Sequence, residues 1–127
     1  MTYEKFIQPK EVEIGGRRFS TSQIPAIQSL KIFQDVTKYY IEYGLIGFTM
    51  FDVELTKQLL QYTAIYNAGE WRELDTETRI NEVFEGRKGD LKRLCYLMVK
   101  DNFDFLIDGN LQSLLEVPME VDRGSGS

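Results

Sequence analysis

The chain of 127 residues contains no histidine. That absence removes the side chain that titrates near neutral pH, the commonest metal ligand, and every Ser-His or Cys-His nucleophile pair. A single cysteine, Cys95, excludes an internal disulfide and fits a reducing compartment. It falls beside Leu91, Leu94 and Met98 on an apolar helical face, where it reads as a small buried hydrophobe rather than a nucleophile. No stretch approaches the about 18 consecutive apolar residues of a membrane-spanning helix, and no leader pattern opens the chain. Neither a membrane partner nor a cleaved export signal is therefore expected. Positive charge is also scarce. Fifteen Lys and Arg against 20 Asp and Glu give a net charge of -5, which argues against a nucleic-acid partner. The densest basic cluster, Arg87, Lys88, Lys92 and Arg93, is small and reads as a solvated helix start. Gly86-Arg87-Lys88-Gly89 lacks both the spacing and the Lys-Ser/Thr ending of a phosphate-binding loop.

What is present favours a folded domain. Hydrophobic residues make up 43% and aromatic rings 13%, well above the composition of a disordered chain. Gly15-Gly16 sits between two short alternating runs and suits the positive φ angles of a two-residue hairpin turn. That register sets Ile14 opposite Arg17, Glu13 opposite Arg18, and Val12 opposite Phe19. Glu13 and Arg18 then form an opposite-charge pair, and the apolar face of the ribbon is expected to rest on the helix that follows. A hairpin edge can also accept a strand from a partner.

The rest reads as helical. Ser22 is expected to cap a first helix with Pro25 in its first turn, carrying Ala26, Ile27, Leu30, Phe33 and Tyr40 and stopped by Gly44. Leu45–Met50 is an apolar linker. Asp52 caps a second helix with Leu55, Leu59, Tyr62 and Tyr66 on one face, closing at Asn67-Ala68-Gly69. After a connection holding Trp71 and Leu74, Asp75 caps a third helix through Phe84. Asp90 caps the longest, running on to Phe105 and Leu106, and Leu111, Leu114 and Leu115 add one further turn. The expected fold class is mainly α, a compact bundle of about four or five helices with a short N-terminal β-hairpin at about 11–20. Residues 1–118 form its single domain. Residues 119–127 read as a flexible tail ending in an appended Gly-Ser linker.

Asp101, Asp104 and Asp108 fall on one face if that stretch is helical, and three carboxylates can hold a hard cation. Tested as a calcium loop around Gly109, the pattern fails, because Leu106 and Leu115 occupy positions that need oxygen ligands. An acidic stripe of this kind is ordinarily a solvated face, so no metal and no cofactor is expected. The aromatics are more informative. Tyr39, Tyr40 and Tyr43 surround a helix end and cannot all face one core, so some of these rings, with Phe48, Met50, Phe51 and Trp71, are candidates for exposure to a partner.

The run Ile14-Gly15-Gly16-Arg17-Arg18-Phe19, then Ile24-Pro25-Ala26 and a helix, resembles the N-terminal region of tail assembly chaperones of long-tailed bacteriophages. Trp71-Arg72-Glu73-Leu74, Ile80-Asn81-Glu82-Val83-Phe84 and Asp101-Asn102-Phe103 are similar in order and spacing, and the resemblance spans about residues 12–107. It implies a non-enzymatic protein of the host cytoplasm that binds the tape-measure protein, keeps it soluble during tail assembly, and meets the tail-tube protein. Self-association and a longer frameshifted form are compatible with it. The chemistry of the side chains, not the family, places partner binding on Ile24, Ile27, Phe48, Phe51 and Trp71. The competing expectation is a small acidic phage-encoded inhibitor of a bacterial defence system acting by protein-protein contact, in which the acidic stripe would matter more than the rings.

Overall fold

The computed structural model describes residues 9–107. The hairpin forms in the expected register. β1 (Lys10–Ile14) and β2 (Arg17–Thr21) pair antiparallel, with Val12 opposite Phe19 and Glu13 opposite Arg18. Gly15 and Gly16 take φ of 60° and 82° at the turn, a conformation costly for residues with a Cβ. Arg18 pairs with Glu11, diagonally across the ribbon, rather than with Glu13. The hairpin does not stand alone. β3 (Thr63–Asn67) and β4 (Glu70–Glu73) extend it into a four-stranded antiparallel sheet of order β1-β2-β3-β4.

That sheet overturns the expectation of a mainly helical bundle. Among the described residues the fold is α+β, five helices around a central sheet. Leu55, Leu59, Tyr62 and Tyr66 share a spacing that mimics one helical face, but α2 stops at Leu60. From Thr63 the chain is extended instead, with Thr63, Ala64 and Ile65 all buried and Tyr66 half-buried. Asn67-Ala68-Gly69, read as a helix terminus, is a hairpin turn with Ala68 at φ 53° and Gly69 at 85°. Pairing Phe19 with Ile65 satisfies the backbone edge of β2 that an isolated ribbon would leave open.

The helices follow local chemistry more closely. α1 spans Ala26–Tyr43, with Pro25 at its N-cap and Gly44, at φ 72°, just past its end. Ser22 is not the cap: its N–H donates to the Tyr62 carbonyl at 3.1 Å, continuing the β2–β3 ladder. The stretch Gly44–Thr49 is a 3₁₀ helix rather than an irregular linker. α2 (Val53–Leu60) is capped by Asp52, whose side chain accepts from the Leu55 N–H at 2.8 Å. α3 (Glu77–Phe84) is capped by Thr76, one residue later than expected, while Asp75 pairs with Arg79. α4 runs from Lys88 to Asn102, with Asp90 in its first turn and not at its cap. A break at Phe103 separates it from the short α5 (Asp104–Ile107).

α4 organises the core. Leu94, Cys95, Met98 and Val99 are buried, and the helix packs on α2, α3, the 3₁₀ segment and β1. The apolar face of the hairpin therefore rests on α3 and α4, not on α1. Phe19 stacks on Phe84 with ring centroids 5.7 Å apart, and Arg17 lies over both rings while donating to the Val83 carbonyl at 2.7 Å. α1 packs at the margin, on the 3₁₀ segment and α2. The expected turn at Leu111, Leu114 and Leu115 and the tail at 119–127 lie outside the described residues.

Candidate functional site

α1 is apolar on two sides. Ile32 and Val36 turn inward and are buried, flanked by half-buried Phe33, Tyr39 and Tyr40. On the opposite side Ile27 is 75%, Leu30 65% and Ile41 77% exposed. The sequence assigns Ile27 and Leu30 to the same row as Phe33 and Tyr40, but the structure divides them between solvent and core. Around the C-terminal end of the helix Tyr43, Leu45, Ile46 and Met50 are also exposed. Exposed apolar side chains gathered on one side of a helix are a feature of interaction surfaces, and the outer side of α1 carries three of them.

The five candidate partner contacts separate accordingly. Ile24, Phe48 and Phe51 are core residues. Phe48 stacks on Tyr40 at 5.6 Å, and Phe51 meets Tyr39 edge-on at 5.3 Å. The backbone N–H of Ile24 donates to Asn102 Oδ1 at 2.8 Å. These three act in packing and offer no surface to a partner in this conformation. Ile27 and Trp71 are exposed, but on different surfaces. Trp71 stands on the outer face of the sheet, edge-on to Tyr66, and the Arg18 guanidinium lies 4.3 Å from the Tyr66 ring centroid. Trp71, Tyr62, Ser20, Ser22 and Pro25 line a depression of about 400 Å³ that reaches the start of α1. The exposed apolar residues missed by the sequence reading are Ile41, Leu45, Ile46 and Val53. Ile41 was detectable, because it lies seven residues beyond Gln34 and fourteen beyond Ile27, in heptad register with the row.

A cleft of about 540 Å³ between α1 and α2 borders the charged side of α1, lined by Lys31, Asp35, Lys38, Tyr39, Glu42 and Asp52 among others. Burial, and then the neighbouring Asp52 carboxylate, pushes the Tyr39 phenol above its usual range. Cys95 is buried in the core, and that burial pushes its thiol up to about 12, the opposite of what a nucleophile needs.

The acidic stripe does not form as drawn. Asp101 and Asp104 belong to different helices across the break at Phe103, and Asp108 lies outside the described residues. Asp101 is engaged internally, accepting from Lys10 Nζ at 3.0 Å and from Thr21 Oγ1 at 3.1 Å. Among the described residues no three His, Cys, Asp or Glu side chains are grouped to hold a metal ion, and no helix is long and apolar enough to cross a membrane. No protein-family model matches the chain, and no curated protein or solved structure is significantly similar to it.

Proposed function

We propose that this chain is a non-enzymatic binding protein that captures an amphipathic helix, acting as a phage tail assembly chaperone on the tape-measure protein in the host cytoplasm. The observation that carries the reading is the exposed row Ile27, Leu30 and Ile41 on a helix whose opposite face is already buried. Apolar grip on a helix is what a protein needs in order to hold a long helical client soluble. The acidic balance, -5 overall, supports solubility of such a complex and disfavours association with a genome. The hairpin and the Ile24-Pro25-Ala26 helix start, on which the resemblance to these chaperones rests, occur as a strand pair leading into α1. The inhibitor reading loses support, since Asp101 is held by Lys10 and Thr21 instead of lying free.

Co-expression with a tape-measure protein tests the reading. The expected result is a higher soluble yield of the tape-measure protein and a complex that elutes together on gel filtration. Unchanged yield and separate elution would end it.

A further inference from the structure

Ile14, Phe19 and Ile65 are buried on the face of the sheet where Phe19 stacks on Phe84 of α3. The register sets Ser20, Ala64 and Glu73 in one row across β2, β3 and β4 on the opposite face. Residues two apart along a strand share a face. Pro9, Ser22 and Tyr62 therefore lie one pleat to one side of this row, and Trp71 lies one pleat to the other. Ser20 and Ala64 are small, and between the rings of Tyr62 and Trp71 they floor the depression of about 400 Å³. Among the described residues that line it, Glu73 alone is charged.

Pro9 is the first described residue and stands on the rim of this depression, on the side of β1. Residues 1–8 continue the chain from that rim and carry four apolar side chains, Met1, Tyr3, Phe6 and Ile7. Neighbouring strands lie about 4.8 Å apart and same-face residues about 6.7 Å apart, which sets Ala64 about 12 Å and Trp71 about 20 Å from Pro9 across the face. Extended backbone advances about 3.3 Å per residue. Phe6, three residues before Pro9, spans the distance to Ala64 once its side chain is counted, and Tyr3, six residues before it, spans the distance to Trp71. Connectivity also favours this occupant over a free one. A short tether supplies an effective concentration on the order of 1 mM, which a free peptide of equal affinity would have to exceed.

We propose that the groove on the outer face of the sheet docks the chain's own residues 1–8, with Phe6 seated on Ser20 and Ala64 and Tyr3 against Trp71. The segment closes an apolar slot between two rings, and a partner that takes the groove has to displace it. The groove is separate from the outer side of α1, and its assignment stands or falls independently of the tape-measure reading.

Trp71 is the only tryptophan, so its fluorescence reads the groove in the full chain. Tyr3→Ser together with Phe6→Ser is expected to move its emission to longer wavelength and to raise its quenching by acrylamide, with the circular dichroism spectrum unchanged. A synthetic peptide of residues 1–9, added at ~1 mM to match the tether, restores both in the variant and leaves the parent unaltered. In the isotope-labelled parent, nuclear Overhauser contacts are expected between the Phe6 ring and the Ala64 methyl group. Emission and quenching equal in variant and parent, no recovery with the peptide, or no contact from residues 1–8 to Ala64 would overturn the proposal. Equal recovery with a scrambled peptide of the same composition would overturn it too, by showing a groove that takes any apolar segment. Parent emission that shifts on dilution would give the groove to the segment of a second copy instead.

Discussion

Leu30 and Ile32 stand two residues apart on α1 and point to opposite sides of it, one 65% exposed and the other 4%. Two residues along a helix span about 200°, so a single turn of α1 carries apolar side chains to both core and solvent. Burying only one of them leaves the other available.

That asymmetry predicts opposite responses to substitution. Ile32→Ala should cost about 2–4 kcal/mol, because it removes buried methyl groups and leaves a cavity. Leu30→Glu should stay within about 0.5 kcal/mol of the parent, as surface changes generally do. Urea denaturation of the two variants checks both, and a large loss on Leu30→Glu would show that this side chain is packed.

A second prediction concerns the joint between the sheet and α4. Asn102 accepts from the Ile24 N–H at 2.8 Å and donates to the Met98 carbonyl at 3.0 Å, fixing where the chain leaves β2 and enters α1. Asn102→Ala strands that N–H and is expected to cost about 1–3 kcal/mol. Asn102→Asp keeps the acceptor for Ile24 but loses the donor to the Met98 carbonyl, so it should recover only part of that cost. Chemical denaturation of the pair separates loss of the bond from loss of volume.

Two glycines should differ sharply. Gly16 has a positive φ but open space where a Cβ would go, so Gly16→Ala carries only the backbone strain, about 1–2 kcal/mol. A Cβ on Gly47 would collide with the Tyr39 backbone carbonyl, where α1 meets the 3₁₀ segment. Gly47→Ala therefore has to displace backbone, and its melting temperature should fall well below that of Gly16→Ala. Equal melting temperatures would contradict the close approach.

The buried thiol gives a pH prediction. The ordinary value for Cys95 is 9.0, and burial raises it to about 12 in the folded chain. Below about pH 9 the thiol is protonated in both states and contributes no pH dependence. Between 9 and 12 the unfolded chain releases the proton while the native thiol keeps it, so this group makes stability fall as pH rises. The stability advantage of the parent over Cys95→Ala should accordingly shrink from pH 8 to pH 10.5, as measured by urea midpoints. A constant difference would mean the thiol is not desolvated.

Local signals carried much of this fold. The Gly-Gly turn dictated the β1–β2 register down to the Val12–Phe19 pair, and Asp52 and Gly44 marked helix boundaries through chemistry that acts within a few residues. β3 was lost because Leu55, Leu59, Tyr62 and Tyr66 imitate helical spacing, and what makes Thr63–Asn67 a strand is a partner strand, Arg17–Thr21, far earlier in the chain. The candidate site shows the same limit. Ile27 and Trp71 read correctly as apolar groups, yet the five aromatic and aliphatic contacts drawn together from composition disperse, since rings fill a core before they coat a surface. Which of two apolar rows on α1 turns inward depends on partners such as Phe103 and Phe48, which pack on Phe33 and Tyr40, and no local pattern names them.

The outer face of α1 is tested most directly by co-purification of a tape-measure protein with the parent chain and with the Leu30→Glu, Ile41→Glu variant, at matched expression and matched melting temperature. The tape-measure protein should co-elute with the parent on gel filtration and separate from the variant. Equal recovery with both chains would contradict the account.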